Sequence, residues 1–165
     1  MKTNFILWAP MIAALLHMFE EFAFPGGFAC WFRRYRPESA SDITVKKLVT
    51  INALLLLFCL GGPVTTDKSF GIAEWLTVTA LFFGNAIFHI RAAIAMREYS
   101  PGLITSVFLY IPLAIIGYIY FLEYGNIPLR TALIAFFIGV SFEVFSSLQY
   151  FLMRLKQKQN MQSSQ

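Results

Sequence analysis

Five stretches of about twenty apolar residues, separated by glycine, proline or charge, dominate this chain of 165 residues. A membrane-spanning helix needs about 20 such residues, with a range of about 17–25. The stretches run about 4–24, 44–62, 71–96, 102–122 and 128–153. Their punctuation fits. Pro25-Gly26-Gly27 closes the first and Gly61-Gly62-Pro63 the second, Ser100-Pro101-Gly102 parts the third from the fourth, and Gly125-Asn126 precedes the fifth. Clusters of this kind end helices. The expected fold is all-α: a polytopic membrane bundle of five transmembrane helices, one domain over 1–155, with a polar, disordered tail over 156–165. Apolar residues make up 58% of the chain and charged residues 13%, against about 45–50% and about 25% in soluble domains. That balance excludes a soluble globule and a disordered chain, and two cysteines are too few for a disulfide-rich module. The first stretch is read as a mature helix, not a signal peptide, because His17, Glu20 and Glu21 interrupt it and no small-residue cleavage site follows.

The basic residues set the expected orientation. Arg33, Arg34, Arg36, Lys46 and Lys47 follow the first stretch, Arg91 and Arg97 lie about the third turn, and Arg154, Lys156 and Lys158 follow the last. Only Lys2, Lys68 and Arg130 fall on the other side. Cytoplasmic loops carry the excess of Lys and Arg. The amino terminus is therefore expected outside and the carboxyl terminus in the cytoplasm, as in a multi-pass protein of a bacterial inner membrane. The net charge of +4 then reflects topology and attraction to anionic lipid headgroups. A nucleic-acid partner is not expected, and the oligomeric state is left open.

Ionisable side chains inside a membrane helix are costly, so each marks a functional-site hypothesis. The first helix carries His17-Met18-Phe19-Glu20-Glu21. Residues three and four apart share a helix face, so His17 points with both glutamates. The third helix carries Asn85 and His89, four apart, with Glu74 further up. The fifth carries Glu143 and the second Asn52. Counted from the cytoplasmic helix ends, His17 lies seven residues in, His89 seven, Asn52 eight and Glu143 ten. At about 1.5 Å per residue these four lie within roughly 5 Å of one another in depth. A polar belt in the cytoplasmic half is the simplest arrangement. Glu74, near the outer interface, is expected to be solvated.

The motif His17-Met18-Phe19-Glu20-Glu21 resembles the signature of the HXXEE-domain family of small integral membrane proteins. Asn85-Ala86-Ile87-Phe88-His89, the turn Tyr99-Ser100-Pro101-Gly102 and Pro112 are similar to that family's pattern, over the first four helices. The resemblance implies a membrane protein with a polar site and confers no general activity.

Two imidazoles with carboxylates at one depth suit zinc, iron or manganese, and helix bundles assemble such sites from i, i+3 pairs. His17, Glu20 and His89 are the expected ligands of a divalent transition metal. Glu20, Glu21 and Glu143 are the candidate acid–base residues, and Asn52 and Asn85 would bind substrate or orient the ligating rings. The leading expectation is a membrane-embedded enzyme of hydrolase or isomerase type. It would act on an amphipathic or lipid substrate, by a bound metal or by acid–base chemistry alone. The alternatives are a scaffold or subunit of a larger assembly, and a small proton- or ion-coupled transporter. Against transport, the chain shows no inverted repeat.

Overall fold

The computed structural model describes residues 3–23, 27–40, 43–125 and 127–163, and the regular structure among them is all helical. Phe24, Pro25, Gly26 and Asn126, where two of the expected boundaries fall, lie outside the described residues. In chain order the helices are α1 (Thr3–Ile6), α2 (Ala9–Ala23), α3 (Gly27–Tyr35), α4 (Val45–Val64), α5 (Lys68–Met96), α6 (Leu103–Tyr124) and α7 (Leu129–Ser163). A short 3₁₀ turn, Pro37–Ser39, joins α3 to the approach of α4. The last helix runs on through most of the segment expected to be a disordered tail.

Local chemistry fixes the starts of the long helices. Thr44 Oγ1 accepts the Lys47 N–H at 3.1 Å, and Asp67 Oδ1 accepts those of Ser69 and Phe70 at 2.9 and 3.1 Å. Each side chain satisfies donors that the first helical turn leaves without a partner. α5 ends at Arg97, whose φ of 54° turns the chain out of the helix.

Among the described residues four helices, not the expected five, are long and apolar enough to cross a membrane: α4, α5, α6, and α7 as far as Lys156. The first stretch breaks at Leu7-Trp8, leaving α2 only 15 residues long. Its breaker is Pro10, which has no N–H to give the Ile6 carbonyl and whose ring crowds that same carbonyl. Ile6 O is instead satisfied from α5, where Trp75 Nε1–H donates to it at 3.0 Å. Trp75→Phe removes that donor and leaves a buried carbonyl unpaired, which costs about 1–3 kcal/mol. The variant is expected to melt below wild type in the same detergent, and an unchanged midpoint would mean that Ile6 O finds another donor.

α5 is the hub. It packs against α4, α6 and α7, and its side chains Trp75, Leu76, Val78, Phe82 and Ala92 are almost fully buried. Gly139 of α7 lies directly on the Thr77 carbonyl and the Ala80 methyl, where a β-carbon would overlap both. This is the close helix approach that small residues permit within membranes. By contrast, α4, α6 and α7 turn Leu54, Leu57, Ile116, Phe137 and Phe142 outward, each more than half exposed. Such a surface suits lipid, not water.

The basic segments gather at one end of the bundle. Arg154 Nε of α7 lies 4.0 Å from Glu38 Oε1, Ser39 Oγ donates to Met153 Sδ at 3.6 Å, and Arg34 pairs with Glu98 at 3.2 Å. Contacts therefore tie the segment after α3, the turn after α5 and the far part of α7 together.

Candidate metal centre

His17 on α2 and His89 on α5 meet at that same end, with ring centroids 5.1 Å apart and planes crossed at 75°. Glu21, one turn beyond His17, sits between them. Its Oε1 lies 3.5 Å from His17 Nε2 and 3.6 Å from His89 Nε2. One ligand atom from each of the three residues falls within 4.8 Å of the other two. All three side chains are buried, His89 completely. Its Nε2 has no hydrogen-bond partner among the described residues. Buried polar atoms are nearly always satisfied, so this one asks for an explanation.

The opposite nitrogens are engaged. His17 Nδ1 is hydrogen-bonded to Thr105 Oγ1 at 2.8 Å, and His89 Nδ1 to Ser100 Oγ at 2.9 Å. Thr105 belongs to the first turn of α6, and Ser100 to the turn that precedes it and joins α5 to α6. Gly102 of that turn has φ of +95°, and a β-carbon there would sit 2.6 Å from His17 Cε1 and 2.9 Å from His89 Cε1. Only glycine allows both the conformation and the close approach, so the turn lies flat across the two imidazoles.

Glu20 takes a different place from the expected one. Its carboxylate points at the turn, not at the histidines' shared centre. Oε1 accepts from the Tyr99 hydroxyl and, at 2.9 Å, from the Ile104 N–H; Oε2 accepts from the Thr105 N–H at 2.7 Å and from the Thr105 hydroxyl. Burial and the Glu20 carboxylate both push the Tyr99 phenol above its usual pKa, so it stays protonated and donates. Gly102 precedes α6 without a side chain to cap it, and Glu20 caps that helix from across the bundle. Glu21, in contrast, is the carboxylate that the structure brings to both rings.

The other residues singled out by depth separate. Asn85 lies one turn from His89 on α5, its Oδ1 buried without a partner among the described residues. Glu143 of α7 accepts from Ser147 at 3.0 Å and lies against Gly84. Asn52 is half-buried on α4. Glu143 does not belong to the His17–Glu21–His89 group. Glu74, expected to be solvated, is only 9% exposed and packs against Gly61 and Gly62 of α4. It also lines a cavity of about 270 Å³ with Phe58, Phe70, Thr77 and Ile134.

Tyr110 went unsuspected in the sequence. Its ring lies on His17, centroids 4.6 Å apart, and stacks on Phe82 at 4.0 Å. Its hydroxyl, like that of Ser106, is buried without a partner among the described residues. Both belong to a π-helical turn, Ser106–Tyr110, in which the Ile111 N–H reaches back to Ser106 O. Pro112, which has no N–H, follows at once, and such widened turns are frequent at functional sites. Proline two residues past a polar–aromatic stretch was the available signal.

Four long apolar helices around a buried His/Glu group fit a small helical membrane protein with an internal polar site. The chain belongs to the HXXEE family, described as proteins of unknown function with an HXXEE motif, whose pattern covers residues 8–117. The motif letters fall on His17, Glu20 and Glu21. No curated protein and no solved structure matches the chain.

Proposed function

We propose that His17, Glu21 and His89 hold one divalent transition metal, zinc, iron or manganese, and that the protein is a membrane-embedded enzyme using it on an amphipathic or lipid substrate. One observation carries this: both imidazoles are tied down at Nδ1 by hydroxyls while their Nε2 atoms, one buried without a hydrogen bond, converge on a single carboxylate. Ligating histidines are oriented in this way, through the ring nitrogen that does not touch the metal. Charge supports it too. Two neutral rings and one carboxylate would leave an uncompensated negative charge in a dry site. A divalent cation held by the three residues would offset it.

Two histidines and one carboxylate are the donor set of catalytic zinc sites with an open fourth position and of the facial triad of iron(II) oxygenases. Such a metal polarises a carbonyl or phosphoryl oxygen or lowers the pKa of bound water, which fits a hydrolase or isomerase. The chain's own residues hold and dehydrate the site. Tyr110, whose ring lies on His17, and Ser106, in the same π-helical turn, have hydroxyls without a partner among the described residues for the polar end of a substrate, and the apolar faces of α4, α6 and α7 offer lipid contact for the rest. The full burial of His89 also suits a closed structural metal that clamps α2 to α5.

Elemental analysis of protein purified at neutral pH without chelator tests the metal. Stoichiometric zinc, iron or manganese is expected, and its absence would overturn the proposal. Cobalt(II) substitution then separates the two uses. A visible spectrum that shifts on adding acetohydroxamate marks an open coordination position, and an unresponsive one marks the clamp.

We further propose that the basic end of the bundle faces the cytoplasm, as the excess of Lys and Arg there supports. Single cysteines near Glu38 and Gln162, in a Cys30→Ser background, are expected to resist an impermeant thiol reagent in intact cells and to react after lysis. Labelling of both from outside would reverse the orientation.

A further inference from the structure

The two adjacent glutamates of the motif make contacts so different that they suggest two jobs. Glu21 faces the imidazole Nε2 atoms. Glu20 reaches His17 only through Thr105, and the proton count along that path is determinate. Four donors converge on the Glu20 carboxylate, two of them backbone N–H groups that can do nothing but donate. An ionised carboxylate has about four acceptor sites and no proton to give. The Gly102 carbonyl, at 3.3 Å, is a second acceptor for the Thr105 hydroxyl, but the Glu20 oxygen is closer and charged, so the single hydroxyl hydrogen goes to Glu20 Oε2. Its oxygen is left as an acceptor, and its partner at 2.8 Å is His17 Nδ1. That nitrogen must carry a proton. In the neutral ring, the form that can bind a metal, Nε2 is then bare and faces Glu21.

We propose that Glu20 is a positioning residue: acting through the Thr105 hydroxyl, it holds His17 in the Nδ1–H tautomer and so presents the Nε2 lone pair to the centre shared with Glu21 and His89. For the neutral ring the tautomer follows from the hydrogen bonds, while its use in binding rests on the proposed metal site. The chain Glu20–Thr105–His17 works like a carboxylate held directly on a ligating histidine, with one hydroxyl interposed. It also accounts for the motif letter by letter. His17 and Glu21 would be ligands, and Glu20 would set the protonation state of one of them.

The alternative for Glu20 is purely structural, a cap on the first turn of α6. Glu20→Gln separates the two. The amide keeps an oxygen in the place of Oε1 for the Ile104 N–H and the Tyr99 hydroxyl, while its NH₂, in the place of Oε2, leaves the Thr105 N–H without its acceptor and presents a hydrogen to Thr105 Oγ1. The Thr105 proton is then free to turn to His17 Nδ1, which reverses the relay and moves the ring proton to Nε2.

The test is ¹⁵N NMR of histidine-labelled, chelator-treated full-length protein in detergent micelles. The chain has only two histidines, so His89→Gln assigns the His17 resonances. Wild type and Thr105→Ser are expected to show a protonated Nδ1 and a bare Nε2 at His17, and Glu20→Gln and Thr105→Val the reverse or a mixture. Zinc affinity, read by competition with a chromophoric chelator, is expected to fall about 10–100-fold in Glu20→Gln and Thr105→Val and to be retained in Thr105→Ser. Nε2–H at His17 in wild type, or a Glu20→Gln protein that melts lower with its tautomer unchanged, would overturn the relay and leave the cap. If the tautomer reverses as expected but wild type takes up no zinc, the relay stands and the metal site falls. Should Glu20→Gln fail to fold, the Thr105→Val and Thr105→Ser pair reads the same proton.

Discussion

His17→Ala and His89→Ala are each expected to come through purification without the metal that the wild-type protein retains. Three protein ligands are within reach, and removing one leaves two, in a site with no further His, Cys, Asp or Glu in the group among the described residues to replace it. Elemental analysis is therefore expected to drop from near-stoichiometric to background in both. Glu21→Gln is expected to behave similarly, since the amide lacks the charge that a divalent ion needs. Glu74→Gln is the control. It lies fifteen residues from His89 on α5, about 22 Å at the helical rise, and its metal content is expected to match wild type. Acidification works in the same direction as the histidine changes, because protons and metal compete for the same Nε2 lone pairs. Metal retained at wild-type stoichiometry in either histidine variant would remove that ring from the ligand set.

Gly102→Ala is expected to do as much damage with a single methyl group. A non-glycine residue held in that left-handed conformation costs of order 1–3 kcal/mol. The added carbon would also press on the Cε1 atoms of both imidazoles. Either the turn lifts, taking Ser100 and Thr105 off the rings, or the rings rotate and lose their aim at Glu21. Both routes lower metal affinity, by at least tenfold on the scale of lost ring-orienting contacts, and both lower the melting point. Chelator competition and thermal unfolding in one detergent measure the two effects. Wild-type values for both would mean that the turn is not what holds the rings.

The long helices were legible because apolar length is a one-dimensional property, and Thr44 and Asp67 stand where caps should. The meeting of His17 and His89 was legible too, since a constant rise per residue converts sequence position into depth. Depth is only one coordinate. Glu143 shares it, yet it meets α5 at Gly84 and stays out of the histidine group, and α5 is buried around most of its circumference, so hydropathy gives no azimuth. The choice between Glu20 and Glu21 was undecidable for a related reason. Both lie within a turn of His17, and about 100° of helix rotation separates them. What divides them is a turn eighty residues away in the chain, whose backbone amides and hydroxyls claim Glu20. Hydroxyls such as Thr105 and Ser100 leave no periodic trace. Pro10 was the one local signal with the power to correct the helix count, and its bond to nothing behind it is what interrupts the first stretch.

That interruption bears on how the protein is made. A 15-residue helix covers about 22 Å, against about 30 Å of hydrocarbon, and α2 carries a histidine and two glutamates at one end. Ionisable side chains are costly within a membrane, so this short segment has little to recommend it to lipid on its own. Its anchors all arrive later in synthesis: Trp75 for the Ile6 carbonyl, then His89, then the Tyr99–Thr105 turn for Glu20. A segment made before its partners thus settles only after them. It waits at the membrane for the helices that will give its polar end somewhere to go.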